Sequence, residues 1–466
     1  MEFKELDKIA NRATDKNKSS IFEDKESKNT SDNKVQEKQK PKYKILYINT
    51  EMGTPHAEYM GAQGHQVYMY IPWQSSRSRF DKYAIGMGLP NIEKVKNWTD
   101  VIDKVDFVVT DDTSDSMGGF LRKHGYKTVS AGEGIEIETK RLKSKKILEE
   151  IGLMVPPYQH IKGSDNVVAF FKEKLSQKTE SSDTSAGNYY VKLNIFRGAL
   201  ETVNIANEAS LDAFDCICKK EFGMGRNSID FIIEEKVKGV ETGADCIFSG
   251  KDFVRPMMWG FEIDADYVGK FSDTTPFDAD LEKLKKYLIE VGYSGPMSFE
   301  VLRDGDKNYW IDVACRNPQP LSYIYPHNIL NYDTVMYEIA NGRTPRLDIK
   351  SEYAACCCIG NDIASENWLA LNYKKDYNKT KHGLYLFPVT MVDNQKYIIP
   401  CESYSRRDVI GAGIGDGDTA EKAIDMALNS CDMLNVWFST WNGHMKEDLL
   451  HNMEELKTKC GIDFNK

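Results

Sequence analysis

The chain has 466 residues and a formal net charge of −10, and 41% of its residues are hydrophobic. A chain of this length is too long for a single hydrophobic core, which predicts several domains. The negative charge disfavours nucleic acid and anionic lipid as partners. No apolar run approaches the roughly 20 residues of a membrane helix, and the N-terminus lacks the apolar core of a signal peptide, so we expect a cytoplasmic protein without membrane association.

Residues 1–42 are rich in Lys, Glu, Asp, Asn and Ser. So few apolar residues cannot offset the entropy lost on ordering, and the segment is predicted to be a disordered tail. Residues 43–135 then alternate strand and helix patterns, which predicts a parallel α/β domain. The predicted strands are 43–48, 66–71, 106–110 and 125–130, with a helix over 56–62. A dinucleotide-binding domain has the same alternation, but the first turn here contains no GxGxxG motif.

The pattern changes at residue 136. A basic amphipathic helix is predicted over residues 139–152, and the low-complexity run 176–188 predicts a surface insertion. Further strands are predicted at 189–192, 231–234, 297–302 and 309–314.

The last part of the chain, about 350–435, predicts an α+β unit with strands at 383–387 and 408–413 and a helix over 419–434. The ten cysteines show no CxxC pair and no zinc-ligand spacing. Cys356, Cys357 and Cys358 are consecutive in an apolar run. A buried strand explains this run better than a metal or redox site does, and a reducing compartment fits the cysteine usage.

Charged residues follow the predicted strands of the middle region in a fixed order. Lys192 ends one apolar strand, and the acidic pair Glu234 and Glu235 ends another, with Glu241 shortly after. Taken alone, each of these residues also fits an ordinary solvent-exposed strand end. The order of the features, rather than any one of them, predicts a functional site.

Two more acids and an arginine complete the order. Glu300 and Asp312 lie twelve residues apart on neighbouring predicted strands, and Arg316 follows them. A carboxylate inside an apolar strand needs a partner, and Mg²⁺ is one that prefers such oxygen ligands.

Together these features resemble the ATP-grasp superfamily, and within it the family of glycinamide ribonucleotide synthetase (phosphoribosylamine–glycine ligase). Residues 137–141 look like the family's LE-x-S-K element, and residues 315–320 resemble its R-x-G-D-P-E segment. Residues 408–423 are similar to its C-terminal strand, turn and helix. The resemblance runs from about residue 44 to about residue 434.

The resemblance implies an ATP site and an ADP-forming ligase that joins a small-molecule carboxylate to an amine through an acyl phosphate. The implied site residues are Arg141 at the nucleotide, Lys192 at its phosphates, Glu234 at the adenine amine, Glu235 and Val237 through backbone groups, Glu241 at the ribose, Glu300 and Asp312 at Mg²⁺ or Mn²⁺, and Arg316 with Lys192 as catalytic cations. An ATP-grasp carboxylase is less favoured, because no biotin-accepting or bicarbonate-specific feature is visible.

The implied fold is α/β and α+β, with an ATP-grasp domain over residues 136–345 and a small C-terminal α+β domain over residues 346–466. A mobile lid at about 155–230 would close over the acyl phosphate and shield it from water. No feature of the sequence indicates an oligomeric state.

The sequence departs from the family motifs at three places. Ala314 stands where the family has an asparagine ligand, which predicts a looser second Mg²⁺ unless Asn317 substitutes. Of the family's Gly-Gly-Arg-Glu-His turn only His56 remains, which predicts a changed substrate. Gly198 is the one glycine in a phosphate loop where several are usual. The departures also support an alternative function, an ATP-binding module with weak or no turnover.

Overall fold

The computed structural model describes residues 42–71, 83–110, 117–177, 185–195, 202–378, 381–400 and 409–466. Almost all of the predicted tail, residues 178–184 of the predicted insertion and the loop around Gly198 lie outside these residues. Residue 408, where the last predicted strand begins, also lies outside them.

The N-terminal unit is a parallel sheet, as the alternation of strand and helix patterns predicts. Its elements are β1 (Lys44–Ile48), α1 (Thr54–Ala62), β2 (Gln66–Tyr70), β3 (Ile92–Lys94), β4 (Phe107–Thr110), α2 (Met117–Lys123) and β5 (Thr128–Val129). The strand order is β3-β2-β1-β4-β5. Residues 45–48 of β1 are fully buried, because the central strand of a parallel sheet is covered on both faces. Pro55 lies in the first turn of α1, where its missing N–H costs nothing.

The basic helix predicted over residues 139–152 is interrupted near its start. The structure has a short helix, α3 (Glu136–Thr139), and a longer one, α4 (Arg141–Glu150). Lys140 between them is extended, with φ −127° and ψ 82°, because it forms a β-bridge with Ile195. Residue 139 therefore belongs to the first helix.

A four-stranded antiparallel sheet follows. It consists of β6 (Tyr158–Lys162), β7 (Tyr189–Leu193), β8 (Thr202–Asn204) and β9 (Asp230–Glu235), with the helices α5 (Ser164–Ser176) and α6 (Glu208–Phe222). The strand order is β6-β9-β7-β8. Its own hydrophobic core includes Val167, Phe171, Phe214 and Phe231. This smaller sheet occupies the range of the predicted lid, whose mobility stays a prediction.

The remaining strands are β10 (Val240–Phe248), β11 (Met257–Ile263), β12 (Asp266–Ser272), β13 (Gly295–Asp304), β14 (Lys307–Ala314), β15 (Tyr353–Asn361), β16 (Leu369–Ala370), β17 (Gly383–Leu386), β18 (Val389–Val392), β19 (Gln395–Ile398), β20 (Val409–Gly417) and β21 (Ser439–Thr440). All but three form one antiparallel sheet in the order β14-β13-β10-β11-β12-β15-β20-β17, with β21 pairing to β15. The other three form a small sheet, β16-β19-β18. The boundary predicted between residues 345 and 346 separates strands that belong to the same large sheet.

The remaining helices are α7 (Asp278–Glu290), α8 (Ile324–Asn328), α9 (Tyr332–Ala340), α10 (Ala420–Asp432) and α11 (Met445–Cys460). One face of the large sheet packs against α10 and α11, and the other packs against α8 and the N-terminal sheet. The mixed α/β architecture with parallel and antiparallel sheets is the predicted fold class.

The apolar cysteine run is a strand, as predicted. Cys356 and Cys357 in β15 are fully buried. All nine cysteines in the described part of the chain are free thiols. None of the described helices combines the length and apolar character needed to cross a lipid bilayer.

Candidate active site

Lys192 and Glu234 meet on one face of the smaller sheet. In the register of β7 with β9, Tyr190 lies opposite Glu234, and Lys192 is two residues further along the same face. The ammonium of Lys192 lies 3.0 Å from Oε2 of Glu234, and both side chains are buried. Strand alternation therefore brings two of the predicted site residues into a buried ion pair.

Lys145 on α4 contacts the same carboxylate. Its Nζ lies 2.9 Å from Oε1 of Glu234. Burial lowers the pKa of Lys145 to about 8, although the charge of Glu234 acts in the opposite direction. Burial alone would raise the pKa of Glu234, but Lys145 and Lys192 outweigh it and hold that pKa below its usual range. The family motifs do not reveal Lys145, but its position four residues after Arg141 places both on one face of a helix.

Three basic side chains converge on consecutive residues of β14. The contacts are Lys145 Nζ to the carbonyl oxygen of Trp310 at 3.2 Å, Lys192 Nζ to that of Ile311 at 3.1 Å, and the Arg141 guanidinium to Oδ2 of Asp312 at 3.5 Å. These three contacts join α4, the smaller sheet and the large sheet. They concentrate positive charge at the place where the three elements meet.

Glu300 and Asp312 lie directly opposite each other in the register of β13 with β14. On its other side, Glu300 lies opposite Gly243 of β10. A Cβ atom at Gly243 would lie 2.1 Å from the carbonyl oxygen of Phe299, so no larger residue fits beside the acidic pair without backbone movement. The pair therefore stands on a tightly packed part of the sheet.

The two acids have opposite electrostatic surroundings. Burial raises the pKa of Glu300 well above its usual range, and Glu262 and Asp312 add to the effect. Burial also acts to raise the pKa of Asp312, but Arg141 and Lys192 hold it below its usual range. Glu300 consequently lacks compensating positive charge to a much greater extent than Asp312 does.

No protein-family model and no curated protein sequence matches this chain. Solved structures do match it. Phosphoribosylamine–glycine ligase from Thermotoga maritima superposes with a TM-score of 0.61 at 12% identity, covering 85% of this chain and 98% of that one. The biotin carboxylase domain of the Hydrogenobacter thermophilus 2-oxoglutarate carboxylase gives 0.59 at 11% identity, with 89% and 98% covered. A carboxyaminoimidazole synthetase from Staphylococcus aureus, complexed with ADP, gives 0.55 at 14% identity, with 84% and 97% covered.

The chain has the ATP-grasp fold. At these identities the similarity establishes the fold, and the chemistry has to be argued from the site itself. Within the ATP-grasp fold the described site lies where the smaller sheet, α4 and the large sheet meet.

The residues predicted to hold adenine and ribose lie at the end of β9, in the segment that follows it and at the start of β10. The Glu234 carboxylate is occupied by two ammonium groups, so an adenine amine would meet the backbone of this residue rather than its side chain. The Glu235 N–H donates to the carbonyl of Pro157 at 2.8 Å. The Val237 N–H makes no hydrogen bond within the described part of the chain. Glu241 is the second residue of β10 and has an exposed side chain. A free backbone donor and an exposed acid are groups that a nucleoside needs.

The acidic pair fits a metal that arrives with a nucleotide. Glu300 and Asp312 offer carboxylate oxygens side by side, which are the donors that Mg²⁺ prefers. Within the described ranges no group of three or more His, Cys, Asp or Glu side chains is arranged to hold a metal ion. Mg²⁺ is often bound by one or two carboxylates together with substrate phosphates, and this donor set suits that mode.

Arg316 is held in place by a buried acid. Its Nε lies 2.9 Å from Oε1 of Glu138 in α3, while Oε2 of Glu138 accepts the N–H of Cys315 at 2.6 Å. Burial raises the pKa of Glu138, and Arg316 counteracts that effect. The arginine is therefore anchored through one edge of its guanidinium.

Further acids of the large sheet were not indicated by the motifs. Burial raises the pKa of Asp245 to about 7 and that of Glu262 to about 8, with Asp245 also acting on Glu262. The sequence feature that could have revealed them is a carboxylate within an otherwise apolar strand, here β10 and β11. Asp245 and Glu262 therefore place two more carboxyl groups, both protonated to a substantial degree at neutral pH, in the next two strands of the sheet after β13.

The His56 side chain is buried and hydrogen-bonded to other side chains of the protein. It is fully buried between Ser322 Oγ, 3.1 Å from Nε2, and the Tyr332 hydroxyl, 3.0 Å from Nδ1. Burial lowers the pKa of His56 to about 3, so its ring is neutral at physiological pH.

Proposed function

We propose that this chain is an ATP-dependent ligase that activates a carboxylate and joins it to an amine. The observation that carries the proposal is the convergence of Lys145, Lys192 and Arg141 on β14, beside Glu300 and Asp312. Phosphoryl transfer between two anions requires concentrated positive charge and a metal-binding acid pair in one place. The ATP-grasp fold supports the same class of reaction.

The proposed reaction has two steps. A substrate carboxylate oxygen attacks the γ-phosphorus of ATP, which forms an acyl phosphate and releases ADP. The amine nitrogen then attacks the acyl carbon, the bond from that carbon to the phosphate oxygen breaks, and the nitrogen gives up a proton. Inorganic phosphate leaves, so ATP drives the formation of one C–N bond.

The basic residues have separate roles in this proposal. Lys192 and Lys145 would contact ATP phosphates, and Glu234 would keep both ammonium groups in position. Arg141 on α4 would also contact the ATP phosphates. Arg316, anchored by Glu138, would face the reacting carboxylate and the charge that develops on it. A bound Mg²⁺ on Glu300 and Asp312 would offset phosphate charge.

The substrates differ from those named for the ligase of Thermotoga maritima. The turn after β1 lacks the family motif, and its one shared residue, His56, is buried against Ser322 and Tyr332. We therefore propose small-molecule carboxylate and amine substrates other than glycine and phosphoribosylamine, in a cytoplasmic setting.

A phosphate-release screen tests the proposal. Amino acids and other small carboxylates are paired with amines in the presence of ATP and Mg²⁺, and products are identified by mass spectrometry. We expect one class of pair to release phosphate and to yield an amide. Lys192→Met should abolish the release, whereas Lys375→Met, which changes an exposed lysine, should leave it unchanged.

A second candidate is an ATP-binding module without turnover. The observation that favours it is Ala314, which lies opposite Ser298 at the end of β14 and has no ligand atom. Tight ATP binding in calorimetry, together with no phosphate release from any pair in the screen, would select this candidate over the ligase.

A further inference from the structure

A second cleft lies between α1 and the edge strand β17. Its cavity volume is about 350 Å³, which is at the lower end of the size of small-molecule sites. One wall is the face of α1 that carries Glu58 and Tyr59. The opposite walls come from the segment 371–377, from β17 and from Lys396 on β19.

This cleft is separate from the candidate active site. The acidic pair is on β13 and β14 at one edge of the large sheet, and β17 is the strand at the other edge. With neighbouring strands about 4.8 Å apart, the two sites lie about 30 Å from each other along the sheet. The proposed ligase chemistry uses none of the residues that line the cleft.

Tyrosines dominate the walls of the cleft. Tyr59, Tyr373, Tyr377 and Tyr385 line it, and the rings of Tyr373 and Tyr377 stack with centroids 4.0 Å apart. Burial raises the pKa of Tyr59 and that of Tyr377 to about 12, so both hydroxyls keep their protons at neutral pH. Such walls accept an aromatic or large apolar group and offer hydroxyl donors at its edge.

One ion pair lies among these rings. The Lys396 ammonium contacts the Glu58 carboxylate, and the two side chains are 21% and 18% exposed. The pair links α1 of the N-terminal unit to β19 of the C-terminal part of the chain. It presents one negative and one positive group to the same cleft.

We propose that this cleft binds a free α-amino acid with an aromatic or large apolar side chain. The ligand's ammonium would lie at Glu58 and its carboxylate at Lys396. The two ligand charges and the two side-chain charges would then alternate, in place of the Glu58–Lys396 pair alone. Its side chain would pack between the tyrosines, where both the apolar surface and the ring faces are complementary to it. A ligand with a single charge would leave one member of the Glu58–Lys396 pair without a counterpart.

Calorimetry on the full-length protein tests this proposal with L-phenylalanine as the probe. Phenethylamine lacks the carboxylate, 3-phenylpropionate lacks the ammonium, and glycine lacks the side chain. We expect L-phenylalanine to bind and each of the other three to bind at least about tenfold more weakly, since each loses one contact of ordinary strength. Absence of binding by L-phenylalanine, or equal binding of all four compounds, would overturn the proposal.

Variants then locate the binding. Lys396→Met should reduce the affinity for L-phenylalanine to that for phenethylamine, and Tyr377→Leu should weaken both compounds. Lys375→Met, an exposed neighbour outside the lining, should change neither. If Lys396→Met does not fold, Tyr377→Leu and the analogue series decide the question. Wild-type affinity in Lys396→Met would mean that the ion pair serves only to join the two units.

Saturating ATP should leave the affinity for L-phenylalanine unchanged. Competition between the two would place the amino acid in the candidate active site and overturn the separate cleft. The proposed ligase function is tested by phosphate release and does not depend on this result.

Discussion

Lys192 contacts two other strands of the candidate active site, although it is a single residue near a strand end. Its ammonium lies 3.0 Å from Glu234 on β9 and 3.1 Å from the carbonyl of Ile311 on β14, next to Asp312. At the scale of single residues, electrostatics in a buried environment decides what such a group does.

Lys192→Met should weaken ATP binding. The substitution removes a charge that can contact phosphate, which costs about 1.5–3 kcal/mol, or roughly a tenfold to hundredfold loss of affinity. Calorimetry with ATP and Mg²⁺ measures the effect, with Lys375→Met as the matched exposed control. Equal affinities of Lys192→Met and the wild type would remove Lys192 from the nucleotide site.

Lys145 should make ATP binding proton-linked. Its pKa of about 8 leaves it largely neutral at pH 8.5, and a phosphate beside it favours the charged form, so ATP binding should take up protons near this pH. As the pH rises through 8 and beyond, the affinity should fall, because the ammonium that contacts the phosphate is lost.

Calorimetry in two buffers with different ionisation enthalpies measures this proton uptake. Lys145→Met should lose the uptake and show a flatter dependence of ATP affinity on pH. The same uptake in Lys145→Met as in the wild type would assign the proton to another group.

At the scale of elements, the pairing of β13 with β14 decides which side chains meet at the proposed metal site. The register places Glu300 opposite Asp312 and Ser298 opposite Ala314. Residues 312 and 314 lie on the same face of β14, since side chains alternate along a strand. A ligand atom added at residue 314 would therefore project on the side of the acidic pair.

Ala314→Asn should lower the Mg²⁺ concentration needed for half-maximal turnover, because the amide oxygen adds a ligand. Glu300→Gln should abolish turnover even at high Mg²⁺. An ATP-consumption titration against Mg²⁺ compares both variants with the wild type. Wild-type turnover in Glu300→Gln would show that the metal is held elsewhere, and an unmoved Mg²⁺ curve in Ala314→Asn would show that Asn317 or water already fills the position.

At the scale of the whole molecule, the candidate active site lies between two sheets with separate cores. The smaller sheet contributes Lys192 and Glu234, and the large sheet contributes Glu300 and Asp312. A nucleotide that contacts both would stabilise their packing against each other. Ligand binding stabilises the folded state by about 2.7 kcal/mol at a concentration one hundred times the Kd.

Thermal unfolding tests this link between the sheets. Mg²⁺ alone should leave the Tm nearly unchanged, because two carboxylates hold the ion weakly without phosphate oxygens. ATP with Mg²⁺ should raise the Tm, and Glu300→Gln should lose the part of the increase that depends on Mg²⁺. A rise in Tm with Mg²⁺ alone would instead indicate a metal site that forms without the nucleotide.

Much of the architecture was predictable because it follows local patterns. Apolar runs located β1, β4, β13 and β14 to within a few residues, and the cysteine run was correctly interpreted as a buried strand. The order of the motifs along the chain was enough to predict the ATP-grasp fold. The helix predicted over 139–152 was wrong at its start, because the bridge from Lys140 to Ile195 comes from a distant part of the chain.

The sequence by itself determined where strands and helices form and which charged residues end them, because burial alternates along each element with its own period. Only the tertiary structure decided the partners. Lys145 and Glu234 are far apart along the chain and meet because α4 packs beside β9, and Arg316 meets Glu138 for a similar reason. The continuity of the large sheet across residue 345 was likewise hidden, since hydrogen bonds between strands carry no signature within either strand.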